Sequence, residues 1–149
     1  MTVIGAPGTG VTVQANVKIG RPPAKTFAHL IDVESWHWWG GGQVSMKKVT
    51  PGPLRTGSQV QQVTRRRGRE RTTQLEIVGL VKDRALAITG KDMVATFRLE
   101  PVEARTRVTC EVTVPASGVS ALVYRVLLRR FLAADLRKFK RSVEAEPIA

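Results

Sequence analysis

Residues 93–114 read MVATFRLEPVEARTRVTCEVTV. Met93, Ala95, Phe97 and Leu99 alternate with Val94, Thr96, Arg98 and Glu100, and Val108, Cys110, Val112 and Val114 resume the alternation after a short connection. A period of two gives each strand one apolar face. Strands joined this closely pair antiparallel, because a parallel pair needs a long crossover. Past Pro115-Ala116-Ser117-Gly118 the period changes. At ~100° per residue, Ala121, Tyr124, Leu128, Phe131, Leu132, Phe139 and Val143 share one broad helical face, and Arg129, Arg130, Arg137, Lys140 and Arg141 lie opposite. No Pro or Gly interrupts residues 119–144, and Ser117 is placed to cap the helix. A half-apolar sheet and a half-apolar helix can bury their faces on each other, which makes the fold class α+β.

Working outward, Val11, Val13, Ala15, Val17 and Ile19 alternate with polar residues and form a first strand, which Gly20-Arg21-Pro22-Pro23 stops. Pro suits a helix's first turn, where its missing N–H is not needed. A short helix over 24–31 follows, with Phe27, Leu30 and Ile31 on one face, and Asp32 is placed to cap a second that runs through Trp36. Strands are then predicted over 44–49, 57–66, 71–81 and 85–89. Thr50-Pro51-Gly52-Pro53, Arg67-Gly68-Arg69 and Lys82-Asp83-Arg84 are the turns between them. The total is seven strands in a meander, two short helices after the first, and a long last helix. Residues 1–10 read as a flexible N-terminus and 11–145 as one domain.

The chain has 149 residues, 42% of them hydrophobic. It holds no run of ~18 apolar residues for a membrane span and no secretory leader pattern, so a cytoplasmic protein is expected. Cys110 is the sole cysteine, which excludes an intramolecular disulfide and a cysteine-based zinc site. In a strand pattern it reads as a small buried hydrophobe. No phosphate loop, nucleophile elbow, zinc helix or dinucleotide fingerprint occurs, so neither cofactor nor metal is expected. Lys and Arg total 24 against 12 acids, a net charge of +12. Such a surface attracts polyanions. Arg65, Arg66, Arg67, Arg69 and Arg71 crowd one hairpin tip, where they could give weak nucleic-acid contact or serve as a solvated edge that blocks aggregation. A GC-rich genome would explain the Arg content equally.

The order of elements carries a resemblance. Phe27-Ala28-His29-Leu30-Ile31-Asp32 leads into Trp36-x-x-Trp39. Thr50-Pro51-Gly52-Pro53-Leu54 with Gly57 follows, then Phe97-Arg98-Leu99-Glu100-Pro101 with Thr106-Arg107-Val108-Thr109, and the long helix closes the chain. Together, from Val11 to Glu144, these resemble the START/Bet v1-like (SRPBCC) superfamily, in particular its polyketide cyclase/dehydrase-like branch. The resemblance implies a helix-grip fold: a seven-stranded curved antiparallel sheet around the last helix, enclosing a cavity for a hydrophobic ligand. It also implies a setting in bacterial secondary metabolism. Three roles follow from it. The first is a binder of a polycyclic, polyketide-like molecule. The second is a polyketide aromatase/cyclase. The third is a self-resistance protein that sequesters a reactive product such as an enediyne. The superfamily has no universal catalytic motif, so whether the chain is an enzyme stays open.

Three groups of residues are candidates for the site. Trp36-His37-Trp38-Trp39 before Gly40-Gly41-Gly42 reads as an aromatic pocket rim on a glycine hinge, with His37 able to move a proton near neutral pH. The alternative is that Trp36 and Trp39 plug the core while His37 and Trp38 point outward. Gln62, Thr64, Thr73 and Cys110 put polar groups on inward strand faces, where a dry core would place Val or Leu, and so suggest a cavity lined also by Leu75, Met93 and Phe97. Tyr124, Leu128 and Phe131 are expected to line it from the helix. Finally, Arg125 and Asp135 interrupt the helix's apolar face. Asp135 is a candidate acid or base and Arg125 a candidate oxyanion partner, unless Asp135 merely pairs with a nearby cation.

Overall fold

The computed structural model describes residues 10–36, 38–39, 44–91, 93–115 and 119–145. Seven strands form one antiparallel sheet: β1 (Gly10–Ile19), β2 (Val44–Lys48), β3 (Gln59–Arg66), β4 (Arg69–Val81), β5 (Ala85–Gly90), β6 (Met93–Val102) and β7 (Arg105–Pro115). The spatial order is β1-β7-β6-β5-β4-β3-β2. β2 to β7 are therefore a meander, and β1 closes onto its last strand. Between β1 and β2 stand α1 (Pro23–Ile31) and a single 3-10 turn, Val33–Ser35. The long helix α2 spans Val119–Glu144. This is the helix-grip architecture the resemblance implies.

The register follows from the alternation. Phe97 pairs with Cys110 and Ala95 with Val112 across β6 and β7, so one apolar row faces another on the concave side. The register shifts between Ile77 and Gly79 in β4, and such a bulge bends a strand and increases its twist. The β3–β4 hairpin turns on Arg67 and Gly68, both with positive φ (52° and 74°). That left-handed pair matches the twist of the flanking strands, and Gly68 adopts it without steric cost. Strand ends move by one or two residues from those expected, β3 starting at Gln59 and β4 at Arg69. Asp32 makes no side-chain cap. Instead Ser35 Oγ donates to the Asp32 carbonyl (2.8 Å), and the turn ends at Ser35. Ser117 lies outside the described residues.

Helix α2 changes character along its length. Leu132, Asp135, Leu136, Phe139 and Val143 are buried in its second half, whereas Leu122, Val123, Tyr124, Val126, Leu127 and Phe131 are exposed in its first. Two expected lining residues, Tyr124 (42% exposed) and Phe131 (63%), are therefore exposed, Tyr124 within the run 122–127 that is exposed all around the helix. For Phe131 the reason is angular. Leu132, Phe139 and Val143 fix the centre of the buried stripe, and Phe131 stands about 100° around the helix from Leu132. Leu128 and Ala121 are nearer that centre and pack partly against the core. β1 is the strand α2 approaches most closely.

The helix's last turn is tied to the end of β1. Gly20 N–H donates to Glu144 Oε2 (2.6 Å), and Arg21 donates to the Glu144 carbonyl (2.7 Å). Lys140 Nζ donates to both Glu144 Oε2 (2.9 Å) and the Lys18 carbonyl (2.7 Å). The Lys140 hydrogen bond, helped by the Gly20 amide and opposed by partial burial, holds the Glu144 carboxyl below its ordinary pKa.

Two predictions follow from this packing. Phe139→Ala should destabilise the fold by about 3–5 kcal/mol, while Phe131→Ala should stay within about 0.5 kcal/mol. Urea unfolding of the two variants checks the assigned helix face, and equal losses would refute it. A carboxyl whose pKa is depressed by folding stabilises above its unfolded pKa, and that contribution fades as pH falls through the folded one. Wild type should thus exceed Glu144→Gln in melting temperature at neutral pH, and the gap should close on acidification below the ordinary carboxylate range. A gap independent of pH would exclude this tether.

Candidate functional site

The concave side holds two regions, an aromatic floor and an open cleft. In the floor, Trp36, Trp38 and Trp39 are all buried (1%, 3% and 8% exposed). Trp36 and Trp38 pack at a tilt with ring centroids 4.8 Å apart, and Trp38 lies 4.9 Å from Phe139 of α2. Phe97 of β6 meets Trp36 edge-on at 5.6 Å and Trp39 at 5.8 Å. Tilted and edge-on geometries at these distances are the favourable ones for aromatic pairs. The three indoles therefore join sheet to helix. Trp39 is not at an exposed mouth, and Trp38 does not point outward. Indoles are large, and Phe97 and Phe139 offer ring edges that water cannot. His37 and the Gly40-Gly41-Gly42 hinge lie outside the described residues.

The two indole N–H groups contrast. Trp36 Nε1 donates to the Leu30 carbonyl (2.8 Å), fixing the tryptophan segment to the end of α1. Trp38 Nε1 is buried and has no acceptor among the described residues. A buried unpaired donor costs about 1–3 kcal/mol.

Cys110 and Asp135 also belong to the floor. Cys110 is fully buried on β7 opposite Phe97. Burial pushes its thiol pKa up, and the Asp135 and Glu111 carboxylates push it further in the same direction. Cys110 is thus a protonated, inert thiol. Asp135 is 7% exposed on the buried stripe of α2, and Arg125, on the same side of the helix further toward its start, is exposed. Neither borders the cleft described next.

The cleft is a half-open cavity of about 1130 Å³ at the β3–β4 end of the sheet. Gln62 and Thr64 of β3, residues 69–75 of β4, Arg67, and Gly90, Lys91 and Met93 of the β5–β6 turn line it. Five of the expected ligand-binding residues meet there: Gln62, Thr64, Thr73, Leu75 and Met93. Trp36, Trp39, Phe97 and Cys110 are instead sealed in the floor, and Tyr124, Leu128 and Phe131 lie outside the lining. Gln62 pairs with Thr73, and Thr64 with Arg71, so these four stand side by side on two strands. Gly90 pairs with Leu75, and a Cβ at Gly90 would come within 2.5 Å of Leu75 Cδ2. Glycine there lets Leu75 lie flat over the turn instead of being pushed into the cleft.

The inward row of β4 carries a feature the sequence reading missed. Ile77 and Leu75 are buried, Thr73 is half-buried, and Arg71 and Arg69 are exposed at the cleft's rim. The signal was present, since residues 77, 75, 73, 71 and 69 share one parity. Closeness in sequence groups the arginines, and the pleat divides that group. Arg65, on the other face, bonds Glu70 across the hairpin at 3.0 Å. Among the described residues no group of three potential metal ligands occurs.

Trp36→Phe and Trp38→Phe remove similar volume from one cluster, so their difference isolates the hydrogen bond. Trp36→Phe strands the Leu30 carbonyl, whereas Trp38→Phe removes an unpaired donor. Trp36→Phe should be the less stable by about 1 kcal/mol or more in chemical denaturation. The opposite order would contradict the assigned partners.

The fold can be compared with known proteins. No curated protein sequence matches the chain. Among solved structures, the KanY protein (ms6282) is 20% identical, with a TM-score of 0.67 over 90% of this chain and 97% of that one. The Zhui aromatase/cyclase from Streptomyces sp. R1128 is 16% identical, with a TM-score of 0.69 over 91% and 94%. Ara h 8.0201 is 13% identical, with a TM-score of 0.70 over 92% and 99%. These likenesses establish the Bet v1-like fold. The profile described as polyketide cyclase / dehydrase and lipid transport matches residues 10–144, nearly all of the chain. The chain belongs to the polyketide cyclase/dehydrase and lipid transport family.

Proposed function

We propose that the protein binds a small molecule with an apolar, polyketide-like body in the cleft between β3, β4 and the β5–β6 turn. The observation that carries this reading is the row of half-buried polar side chains, Gln62, Thr64 and Thr73, set directly beyond buried Val60 and Leu75. Thr64 Oγ1 donates to the Arg71 carbonyl (3.4 Å), and burying the remaining polar groups in a filled core without partners would be costly. Beside a cavity they offer hydrogen bonds to the carbonyl and hydroxyl oxygens of a ligand, while Leu75 and Met93 supply apolar contact. Family membership supports a ligand-binding role, and the fold is shared with an aromatase/cyclase.

Two of the three catalytic candidates stand away from the cleft: Asp135 is buried in the floor and Arg125 is exposed on α2, while His37 lies outside the described residues. A general acid or base must reach the proton it moves within hydrogen-bond distance or through one water.

The uncharged fluorophore N-phenyl-1-naphthylamine provides a test, because its emission rises in apolar surroundings. It should bind wild type saturably at one site. Thr73→Trp, which fills the middle of the cleft, should weaken binding by at least about tenfold, the equivalent of 1.4 kcal/mol. Phe131→Ala, on the exposed side of α2, should leave binding unchanged. Equal binding by wild type and Thr73→Trp would place the fluorophore elsewhere and remove this reading.

A further inference from the structure

Four strands meet in one rung at the inner end of the cleft. Val60 of β3 pairs with Leu75 of β4, Leu75 with Gly90 of β5, and Gly90 with Met93 of β6. Partners in register share a face, so these residues form a row across the concave side. The next rung toward the core, Ile77, Ile88, Ala95 and Val112, is closed, with none more than 4% exposed. The next rung outward on β3 and β4 is the polar pair Gln62 and Thr73, both in the cleft lining. The rung of Leu75 is therefore the wall at which the cleft stops.

That wall has a gap in its middle, at Gly90. The backbone there does not call for glycine, since left-handed φ occurs at Gly52, Gly57 and Gly68 and not at Gly90. Glycine inside a strand weakens it, and it often marks a place where another group approaches closely. Here that group is the tip of Leu75. Its Cδ2 lies 2.5 Å from the point a Gly90 Cβ would occupy, whereas the Gln74 carbonyl oxygen is at 3.6 Å, an ordinary contact. A leucine tip swings on single bonds between staggered positions. A methyl group at position 90 would thus turn the tip out of the gap before it moved the strands. The rung behind is closed, so the tip would turn into the cleft.

We propose that Leu75 is the specificity-determining residue of the cleft and that Gly90 is its positioning residue. With the leucine tip laid in the gap, a ligand's apolar body can reach the inner wall. With the tip displaced, the same body must stop short. The pair thereby sets the size of rigid apolar body that the cleft accepts. The inference rests on the cleft being a binding site, as proposed above, and adds the residues that select among ligands.

Two uncharged fluorophores, N-phenyl-1-naphthylamine and the larger Nile red, test this through the ratio of their dissociation constants. Gly90→Ala should weaken Nile red about tenfold more than N-phenyl-1-naphthylamine, the effect of one methyl group in an apolar pocket. Leu75→Val, which has no Cδ atoms, should move the ratio the other way. In Leu75→Val/Gly90→Ala the alanine has no leucine tip to displace, so the ratio should match that of Leu75→Val within about twofold. Phe131→Ala should leave the ratio at its wild-type value. Three outcomes overturn the proposal and leave the cleft a binding site. One is an equal change for both fluorophores in Gly90→Ala, which is what a purely structural role would give. Another is the same effect of Gly90→Ala with leucine or valine at position 75. The third is a Gly90→Ala protein that does not fold, because the tip then has nowhere to swing. Failure of N-phenyl-1-naphthylamine to bind wild type would remove the cleft as a site, and this inference with it.

Discussion

The aromatic bridge from Phe97 on β6 to Phe139 on α2, through Trp36 and Trp38, is the contact on which the rest of this structure depends. A curved sheet and a single helix touch along a narrow line, and small side chains would leave a gap between them. Indoles span that gap. Each such pair contributes about 0.5–1.5 kcal/mol beyond its area burial. The bridge also draws in the segment after α1, because the Trp36 indole is hydrogen-bonded to the Leu30 carbonyl. Sheet, helix and connector are thereby locked at one place, and a second tie at Glu144 holds the end of α2 to the end of β1.

That bridge also decides where the cleft lies. With three buried indoles occupying the floor, the concave side has no room for a ligand near Phe97 or Cys110. The free volume is displaced toward β3 and β4, away from β1, the strand that α2 follows. The first half of α2 then stands clear of the core, which is why Phe131 and Tyr124 are exposed although their sequence pattern is apolar.

The fold was legible in the sequence because its two periods are clean. The alternation in β6 and β7 and the uninterrupted run of α2 fixed element type, and tight turns fixed antiparallel order. The site was legible only in part. Gln62, Thr64, Thr73, Leu75 and Met93 line the cleft, and polar residues on an inward face are the signal in the sequence that points to such a space. Trp39, Phe97 and Cys110 are buried in the floor, which strand parity does not foretell, because parity says which face a residue joins and not how far along that face the core is filled. Tyr124 and Phe131 are exposed although they share the apolar face, because a broad apolar face has no centre until packing supplies one.

The arginines show the same limit from the other side. Read as a cluster, Arg65, Arg67, Arg69 and Arg71 suggest one basic surface. Read through the pleat they separate: Arg65 neutralises Glu70 outside, while Arg69 and Arg71 extend the inward row that begins at Ile77. A continuous polyanion-tracking surface requires charges that point the same way. A graded row requires only that polarity rise with distance from the core. The structure has the second pattern along β4, which the closeness of the arginines in sequence does not reveal.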